Sequence, residues 1–135
     1  MSNDFYHNSS FANAYNSATI GANGTTNGNT IDTKGFGSLT FVISNATRTD
    51  GTFTPLIQES DNSDMSAATD VADANLLNTE ALAAITATNS NKAIGVVLGN
   101  KRYVRLSIVA TGVTTGTTGL HATAILTDAD RVPTV

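Results

Sequence analysis

Two stretches of the chain alternate apolar and polar side chains with a period of two residues. In residues 38–44 the side chains of Leu39, Phe41 and Ile43 fall on one face. Residues 102–111 repeat the pattern, with one apolar face made of Val104, Leu106, Ile108 and Ala110. Because successive side chains of a strand point to opposite faces, this period predicts two half-buried β-strands.

The composition agrees with a β protein. The 135 residues include 22 Thr and 14 Asn, and only 13% of the residues are charged. Thr, Val and Ile favour strands, whereas good helix formers are scarce. This excludes a coiled coil, a helical bundle and a charge-rich disordered chain. The length fits one soluble domain.

Turn signals divide the rest of the chain into further short strands. Asn23-Gly24, Asn27-Gly28 and Asp50-Gly51 are strong turn formers, because Asn and Gly tolerate positive φ. Seven or eight short strands at this spacing predict a single antiparallel β-sandwich or jelly roll. The other predicted strands are 18–21, 29–33, 52–60, 81–87, 93–98 and 119–127.

Several of these segments carry a more specific prediction. The Asp50-Gly51 turn predicts a hairpin between strands 38–44 and 52–60. Pro55 cannot donate a ladder hydrogen bond, so it predicts an edge position or a bulge. Residues 60–75 are acidic and small, and indicate a long surface loop, with a short helical turn near 69–77. Residues 81–87 fit a strand or a helix, and the β context favours a strand.

The N-terminal segment holds half of the aromatic residues. Four of the eight lie in the first fifteen positions: Phe5, Tyr6, Phe11 and Tyr15. We expect residues 1–17 to form an extended arm and residues 18–135 to form the sandwich, with a short C-terminal tail. The rings of such an arm must pack on its own domain or on a partner. They are therefore candidate interface residues.

The basic residues are dispersed except for Lys101, Arg102 and Arg105, and the net charge is −4. A nucleic-acid partner is not expected, because such binders normally show a basic stripe. The cluster is either a contact for an acidic partner or a solvated strand edge. No apolar run approaches the ~20 residues that a membrane span needs, so a membrane is not expected either. The start of the chain has no secretory signal pattern.

No catalytic arrangement emerges from the sequence. The chain has no cysteine, which excludes disulfides, thiolate catalysis and Cys-ligated metals. The two histidines, His7 and His121, are not placed by any pattern beside a nucleophile. Glu59 and Glu80 form no pair that their spacing selects. We expect no enzyme activity, no catalytic residue and no cofactor.

Calcium is the most serious metal candidate, because five Asp and Asn side chains crowd residues 61–73. The EF-hand pattern fails there, since Ser66 stands where Gly is needed and Ala72 where Glu is needed. A solvated acidic loop is therefore favoured over a metal site. The glycine-rich stretch 112–119 lacks the lysine and the following helix of a phosphate-binding loop.

Four segments in their order resemble a family of small virion proteins encoded in the head modules of tailed bacteriophages. The resemblance covers the chain from about Thr30 onward and leaves the N-terminal arm outside it. The segments are T-D-G-T-F-T-P-L-I-Q-E-S-D-N-S-D at 49–64, V-A-D-A-N-L-L at 71–77, G-N-K-R-Y-V-R-L-S-I-V-A-T-G at 99–112 and G-L-H-A-T-A-I-L-T-D-A-D-R-V-P at 119–133.

This resemblance implies a capsid decoration (cement) protein that is mostly β, with no enzyme activity and no cofactor. It implies the major capsid protein as partner, the capsid surface as location, and synthesis in the host cytoplasm. A homo-oligomer is expected, and a trimer is favoured because local threefold positions join three capsid subunits. The alternative is a head- or tail-associated appendage that binds a host-surface glycan or receptor.

Overall fold

The computed structural model describes residues 9–98 and 101–129, which form two antiparallel β-sheets around one core. A short 3-10 helix, Asp73–Asn75, interrupts the strands. The strands are β1 (Ser10–Ile20), β2 (Gly24–Asp32), β3 (Phe36–Ser44), β4 (Thr52–Ser60), β5 (Thr69–Asp70), β6 (Leu76–Leu77), β7 (Asn91–Val97), β8 (Tyr103–Thr111) and β9 (Thr117–Ala129).

The strand order defines a jelly-roll sandwich. The five-stranded sheet has the order β1-β9-β3-β7-β6, and the four-stranded sheet has the order β2-β8-β4-β5. Apart from the two-residue β6, eight strands divide equally between two antiparallel sheets, as in jelly rolls. The predicted fold class, a single all-β antiparallel sandwich, is confirmed.

The core contains the apolar residues that the period-two alternation of the long strands predicted to face inward. Leu39, Phe41 and Ile43 of β3 are completely buried. The inward residues of β8 and β9 are also buried, and they come from both sheets. Strand alternation therefore identified the inward face of each long strand. These residues are Val104, Leu106, Ile108, Ala110, Leu120, Ala122, Ala124 and Leu126.

The predicted hairpin between β3 and β4 is wrong. The two strands lie in different sheets, where β3 pairs with β7 and β9, and β4 pairs with β5 and β8. The loop 45–51 carries the chain across from one sheet to the other. A turn signal such as Asp50-Gly51 marks a reversal, but the sheet that the next strand joins depends on long-range packing.

The predicted boundary at residue 17 falls inside β1. Residues 10–17 are extended, as expected, but they belong to an edge strand of the five-stranded sheet, paired with β9. Ala14 and Tyr15 are both buried although they are adjacent, because the register shifts between Asn13 and Tyr15. This irregularity removes the period-two pattern that would have revealed the strand. Residues 1–8 lie outside the described part.

The predicted turn at Asn27-Gly28 lies within β2. The register of β2 against β8 shifts between Asn27 and Thr30, which marks a bulge at this point. A Cβ atom on Gly28 would overlap the carbonyl oxygens of Leu106 in β8 and Ala14 in β1. Glycine is therefore required here because three backbones approach closely, rather than because the chain reverses.

The outer edge of β4 confirms the edge position predicted for Pro55. Pro55 lies opposite Ile108 of β8 on one side, and β5 covers only Gln58 and Glu59 on the other. The backbone N–H groups of Phe53 and Ile57, two residues before and after, point to that outer side. A proline between them removes a donor that no neighbouring strand would have accepted.

Residues 81–87 are turns with a single bridge, so the predicted strand is wrong. Ile85 exchanges backbone hydrogen bonds with Phe53, at 2.8 and 3.1 Å, and caps the β4 edge. Glu80 Oε1 accepts the N–H of Ile57 at 2.7 Å. Burial raises the pKa of Glu80, and the charges of Asp70 and Asp73 add to that rise against the Ile57 hydrogen bond.

Candidate functional site

A cleft of about 450 Å³ opens where the loops after β2, β4 and β7 meet at one end of the sandwich. We call this end the cleft end. Three basic residues and one acidic residue line it, beside two apolar side chains. The lining residues are Thr33, Lys34, Phe36, Asp61, Leu98, Lys101 and Arg102.

The charge of Arg102 is balanced within the protein by the carboxylate of Asp32. Its Nε and Nη2 atoms donate to the two carboxylate oxygens of Asp32 at 2.8 and 2.7 Å. The guanidinium also lies 5.0 Å from the centre of the Tyr103 ring. Arg102 lowers the pKa of Asp32 to about 2, chiefly through this hydrogen-bonded pair. Both side chains are 46% exposed, so the pair stays open to solvent.

The two lysines of the cleft have no such salt bridge in the described part of the chain. Among residues 9–98 and 101–129, neither Lys34 nor Lys101 forms a salt bridge. The backbone N–H of Lys34 donates to Asp32 Oδ1 at 3.0 Å, which fixes the turn that presents its side chain. Lys101 Nζ lies 3.5 Å from Thr69 Oγ1. The cleft end therefore presents two ammonium groups beside Phe36 and Leu98.

Arg105 lies apart from Lys101 and Arg102. It projects from β8 on the outer face of the four-stranded sheet, where its Nη2 donates to Gln58 Oε1 at 2.7 Å. Gln58 Nε2 in turn donates to Asp70 Oδ1 at 3.1 Å, which links β8, β4 and β5. The Nε atom of Arg105 is buried and has no hydrogen-bond partner in the described part of the chain. The three basic residues thus occupy two separate places.

The four aromatic candidate residues also lie in different places. Phe5 and Tyr6 lie outside the described residues. Phe11 is on the outer face of the five-stranded sheet and 54% exposed, whereas Tyr15 is 3% exposed in the core. Burial raises the pKa of the Tyr15 hydroxyl, and its hydrogen bond with the Thr26 side chain opposes that rise. The Tyr15 ring therefore packs within its own domain.

Hydrogen bonds between loops hold the opposite end of the sandwich together, and we call it the stapled end. The Asp50 carboxylate accepts the backbone N–H groups of Thr114, Thr115 and Gly116, with the shortest distance 2.8 Å. These bonds lower the pKa of Asp50. Asn45, buried at the same end, donates to Ala87 O and accepts the N–H of Ser90.

The acidic loop shows local turn contacts. Asp64 Oδ1 accepts the N–H of Ser66 at 2.9 Å, and this bond lowers the pKa of Asp64. Ser60 Oγ donates to the carbonyl of Ser66 at 2.7 Å. In the part of the chain that the structure describes, no group of three or more His, Asp or Glu side chains is arranged to hold a metal.

Within the same described ranges, no helix has the length and apolarity that a membrane span requires. The fold and the contacts of its two ends define the class of protein: a jelly-roll domain with a basic cleft at one end and loops joined by hydrogen bonds at the other.

No protein-family model and no curated protein matches the sequence. A search of solved structures finds a similar fold in the crystal structure of the SPBc2 prophage-derived protein YomS. The match has a TM-score of 0.51 and covers 87% of this chain and 91% of that one, at 14% sequence identity. At this identity the likeness shows a shared fold, here with a protein of prophage origin.

The sequence missed part of the cleft. It pointed to Lys101 and Arg102, but not to Lys34 or the apolar pair, and it considered Asp61 only as a possible calcium ligand. Lys34 does follow a predicted strand directly, which indicates a loop at a strand end. Without the strand pairing, however, nothing in the sequence shows that this loop meets the segment that contains Lys101.

Proposed function

We propose that this chain is a structural virion protein of a tailed phage that binds the outside of the capsid and stabilises it. It acts by binding, without catalysis or a cofactor, and its partner is the major capsid protein. The four resembling segments support this proposal. The fold shared with a prophage-derived protein over most of both chains agrees with it.

The observation that carries the proposal is the cleft end. Lys34 and Lys101 present cationic groups that form no salt bridge in the described residues, next to Phe36 and Leu98. Such a surface complements an acidic partner that also offers an apolar contact. By contrast, Asp50 and Asn45 of the stapled end are bonded to loops of the same end.

The N-terminal segment joins the domain near the same end. Ser10 pairs with Leu126 of β9, and three residues later Ala129 pairs with Phe36 of the cleft. The described part of the chain therefore begins close to the cleft, and Phe5 and Tyr6 precede that point in the sequence. Aromatic side chains are frequent anchors of protein interfaces, so this segment supplies a second contact with the shell. Many copies on one shell combine weak contacts into stable binding.

Co-sedimentation with capsids that lack this protein tests the proposal. The wild-type chain is expected to pellet with the shells, and binding should weaken as salt screens the lysines. A Lys34→Glu/Lys101→Glu variant should lose at least about tenfold in affinity, because it places like charges against an acidic surface. Lys92→Glu is the matched control, since Lys92 lies on β7 away from the cleft. A wild-type chain that stays in the supernatant contradicts the proposal.

A deletion of residues 2–8 tests the contribution of the N-terminal segment. The deletion must stop before β1, because removing part of that strand would unfold the edge of the five-stranded sheet. We expect the shortened chain to keep its melting temperature and to bind shells more weakly. Unchanged shell occupancy would remove the segment from the interface.

A further inference from the structure

The cleft contains one carboxylate that the described part of the chain does not use for its own bonding. Asp61 lines the cleft together with Lys34 and Lys101, and its side chain forms no salt bridge and no hydrogen bond within the described residues. Asp32, at the same end, is used internally, because it pairs with Arg102 and accepts the N–H of Lys34. The cleft end therefore presents an exposed anion as well as its two lysines.

Several other acidic side chains accept a hydrogen bond within the described part of the chain. These residues are Asp50, Asp64, Asp70 and Glu80. Asp73 has no such bond in the described ranges, but it lies in the short 3-10 helix and does not line the cleft. Asp61 is therefore the acidic residue of the cleft that is available to a partner.

The loop that carries Asp61 is held in place on both sides of this residue. Ser60 is 1% exposed, and its Oγ accepts the N–H of Asn62 at 3.0 Å and donates to the carbonyl of Ser66 at 2.7 Å. The N–H of Met65 donates to the carbonyl of Asn62 at 3.0 Å, and the Met65 side chain is buried. Because Asp61 lies between two bonded residues, its backbone position at the edge of the cleft is fixed.

Two residues of this loop have left-handed backbone conformations. Met65 has a φ of 61° and Ala67 has a φ of 54°. Residues other than glycine rarely adopt such values, and they keep them only where the surrounding structure imposes them, often at binding sites. Here Ser66, which stands between the two, is bonded to both Ser60 and Asp64. The loop is therefore a preformed wall of the cleft, which lowers the cost of ordering it when a partner binds.

We propose that the partner surface carries a basic group as well as acidic ones, and that Asp61 binds this basic group while Lys34 and Lys101 bind the acidic ones. This inference rests on the proposed function and names the class of surface that the cleft takes: a segment of mixed charge with an apolar contact for Phe36 and Leu98. A uniformly acidic segment fits less well, because it brings like charge against Asp61. Asp61 thus determines specificity by rejecting such a segment.

The sign of one substitution separates the two kinds of partner. Asp61→Asn removes a negative charge from the cleft and keeps the size of the side chain. Against a uniformly acidic surface this change should tighten binding, because it removes a repulsion. Against a surface of mixed charge it should weaken binding, because the basic group of the partner loses its anion. We expect a loss of about fivefold in affinity, the range of an exposed ion pair.

Co-sedimentation with capsids that lack this protein, over a series of concentrations, measures the affinity of each variant. Asp73→Asn is the matched control, since it makes the same change in net charge on an exposed side chain outside the cleft. It should bind like the wild type. Asp61→Glu keeps the carboxylate and should retain most of the affinity. An unchanged melting temperature establishes that the variants are folded.

The outcomes distinguish this inference from the function on which it rests. A wild-type chain that does not pellet with the shells would overturn both. If Lys34→Glu/Lys101→Glu abolishes binding but Asp61→Asn binds as well as the wild type or more tightly, the inference alone is overturned, in favour of a uniformly acidic partner. An equal loss in Asp73→Asn would also overturn it, because the effect would then follow the net charge of the protein rather than the cleft.

Discussion

The two ends of the sandwich use polar side chains in opposite ways. At the stapled end, Asp50 accepts three backbone N–H groups from the β8–β9 loop, and Asn45 ties two other segments together. At the cleft end, charged side chains border open space: Arg102 pairs with an exposed Asp32, and Lys34 and Lys101 form no salt bridge in the described residues.

This difference means that the stapled end contributes to folding, whereas the cleft end is the one available for the proposed recognition. Short Asp and Asn side chains satisfy loop backbone groups that would otherwise depend on water, so the stapled end holds the two sheets together. The cations of the cleft end contribute little to folding, because exposed ion pairs are weak. In the proposed function they serve the partner instead, so changes at the two ends should affect different measurements.

The largest effect is expected for Gly116→Ala at the stapled end. Gly116 has φ +90°, and a Cβ there would overlap the carbonyl of Ile20. We expect a loss of at least about 3 kcal/mol in the free energy of unfolding, measured by urea denaturation. Gly112→Ala in the same loop is the control, since Gly112 has φ +65° but open space around it. It should lose only about 1–2 kcal/mol. Equal losses would mean that the close approach to Ile20 is unimportant.

Asp50→Ala should have the next largest effect, because it leaves three loop N–H groups without their acceptor. We expect a clearly lower melting temperature, with the amide signals of Thr114, Thr115 and Gly116 shifted by NMR. Asp64→Ala is the matched control, since Asp64 bonds to a residue only two positions away. It should change the melting temperature much less.

The same carboxylate makes the stapled end sensitive to acid. The folded-state pKa of Asp50 lies below its ordinary value of 3.8 because of the N–H bonds. Its stabilising contribution is therefore complete above the unfolded pKa and is lost as the pH falls through the lowered folded pKa. The amide shifts of Thr114 and Gly116 should titrate together below pH 3.8. A midpoint above that value would contradict the bonded carboxylate.

The smallest effect on stability is expected at the cleft end. Asp32→Asn removes an exposed ion pair and should change the melting temperature little. The pair is visible instead in the titration of Asp32, whose pKa is about 2 in the folded protein. Arg102→Ala should raise that pKa toward its ordinary value, as measured by NMR of the carboxyl carbon. A pKa that stays near 2 in this variant would show that Arg102 is not its main cause.

The sequence predicted well whatever depends on local alternation. Strands with one regular buried face, such as β3 and β8, were identified with their inward residues. The missing donor of Pro55 predicted an edge position or a bulge, and the first of these is found. Where a bulge breaks the alternation, as at Tyr15 and Gly28, the strand or its start was missed, because two adjacent residues turn inward or three backbones approach closely.

Long-range pairing could not be predicted from the sequence. The Asp50-Gly51 turn suggested a hairpin, but its carboxylate bonds to a loop more than sixty residues away. Long-range pairing also explains why the three basic candidates lie in two places. Lys101 and Arg102 precede β8 at the cleft, whereas Arg105 lies within the strand and bonds to Gln58. Lys34 joined the cleft only through the position of β2 beside β8.

Cryo-electron microscopy of purified virions tests the central claim most directly. We expect density for this chain on the outer surface of the shell, with Lys34, Lys101 and the N-terminal segment directed toward the capsid subunits and the Asp50 loops directed outward. Density with the Asp50 loops against the shell would contradict the assignment of the cleft end. Density on the tail, where a receptor-binding appendage belongs, or absence from the particle, would contradict the capsid-binding function itself.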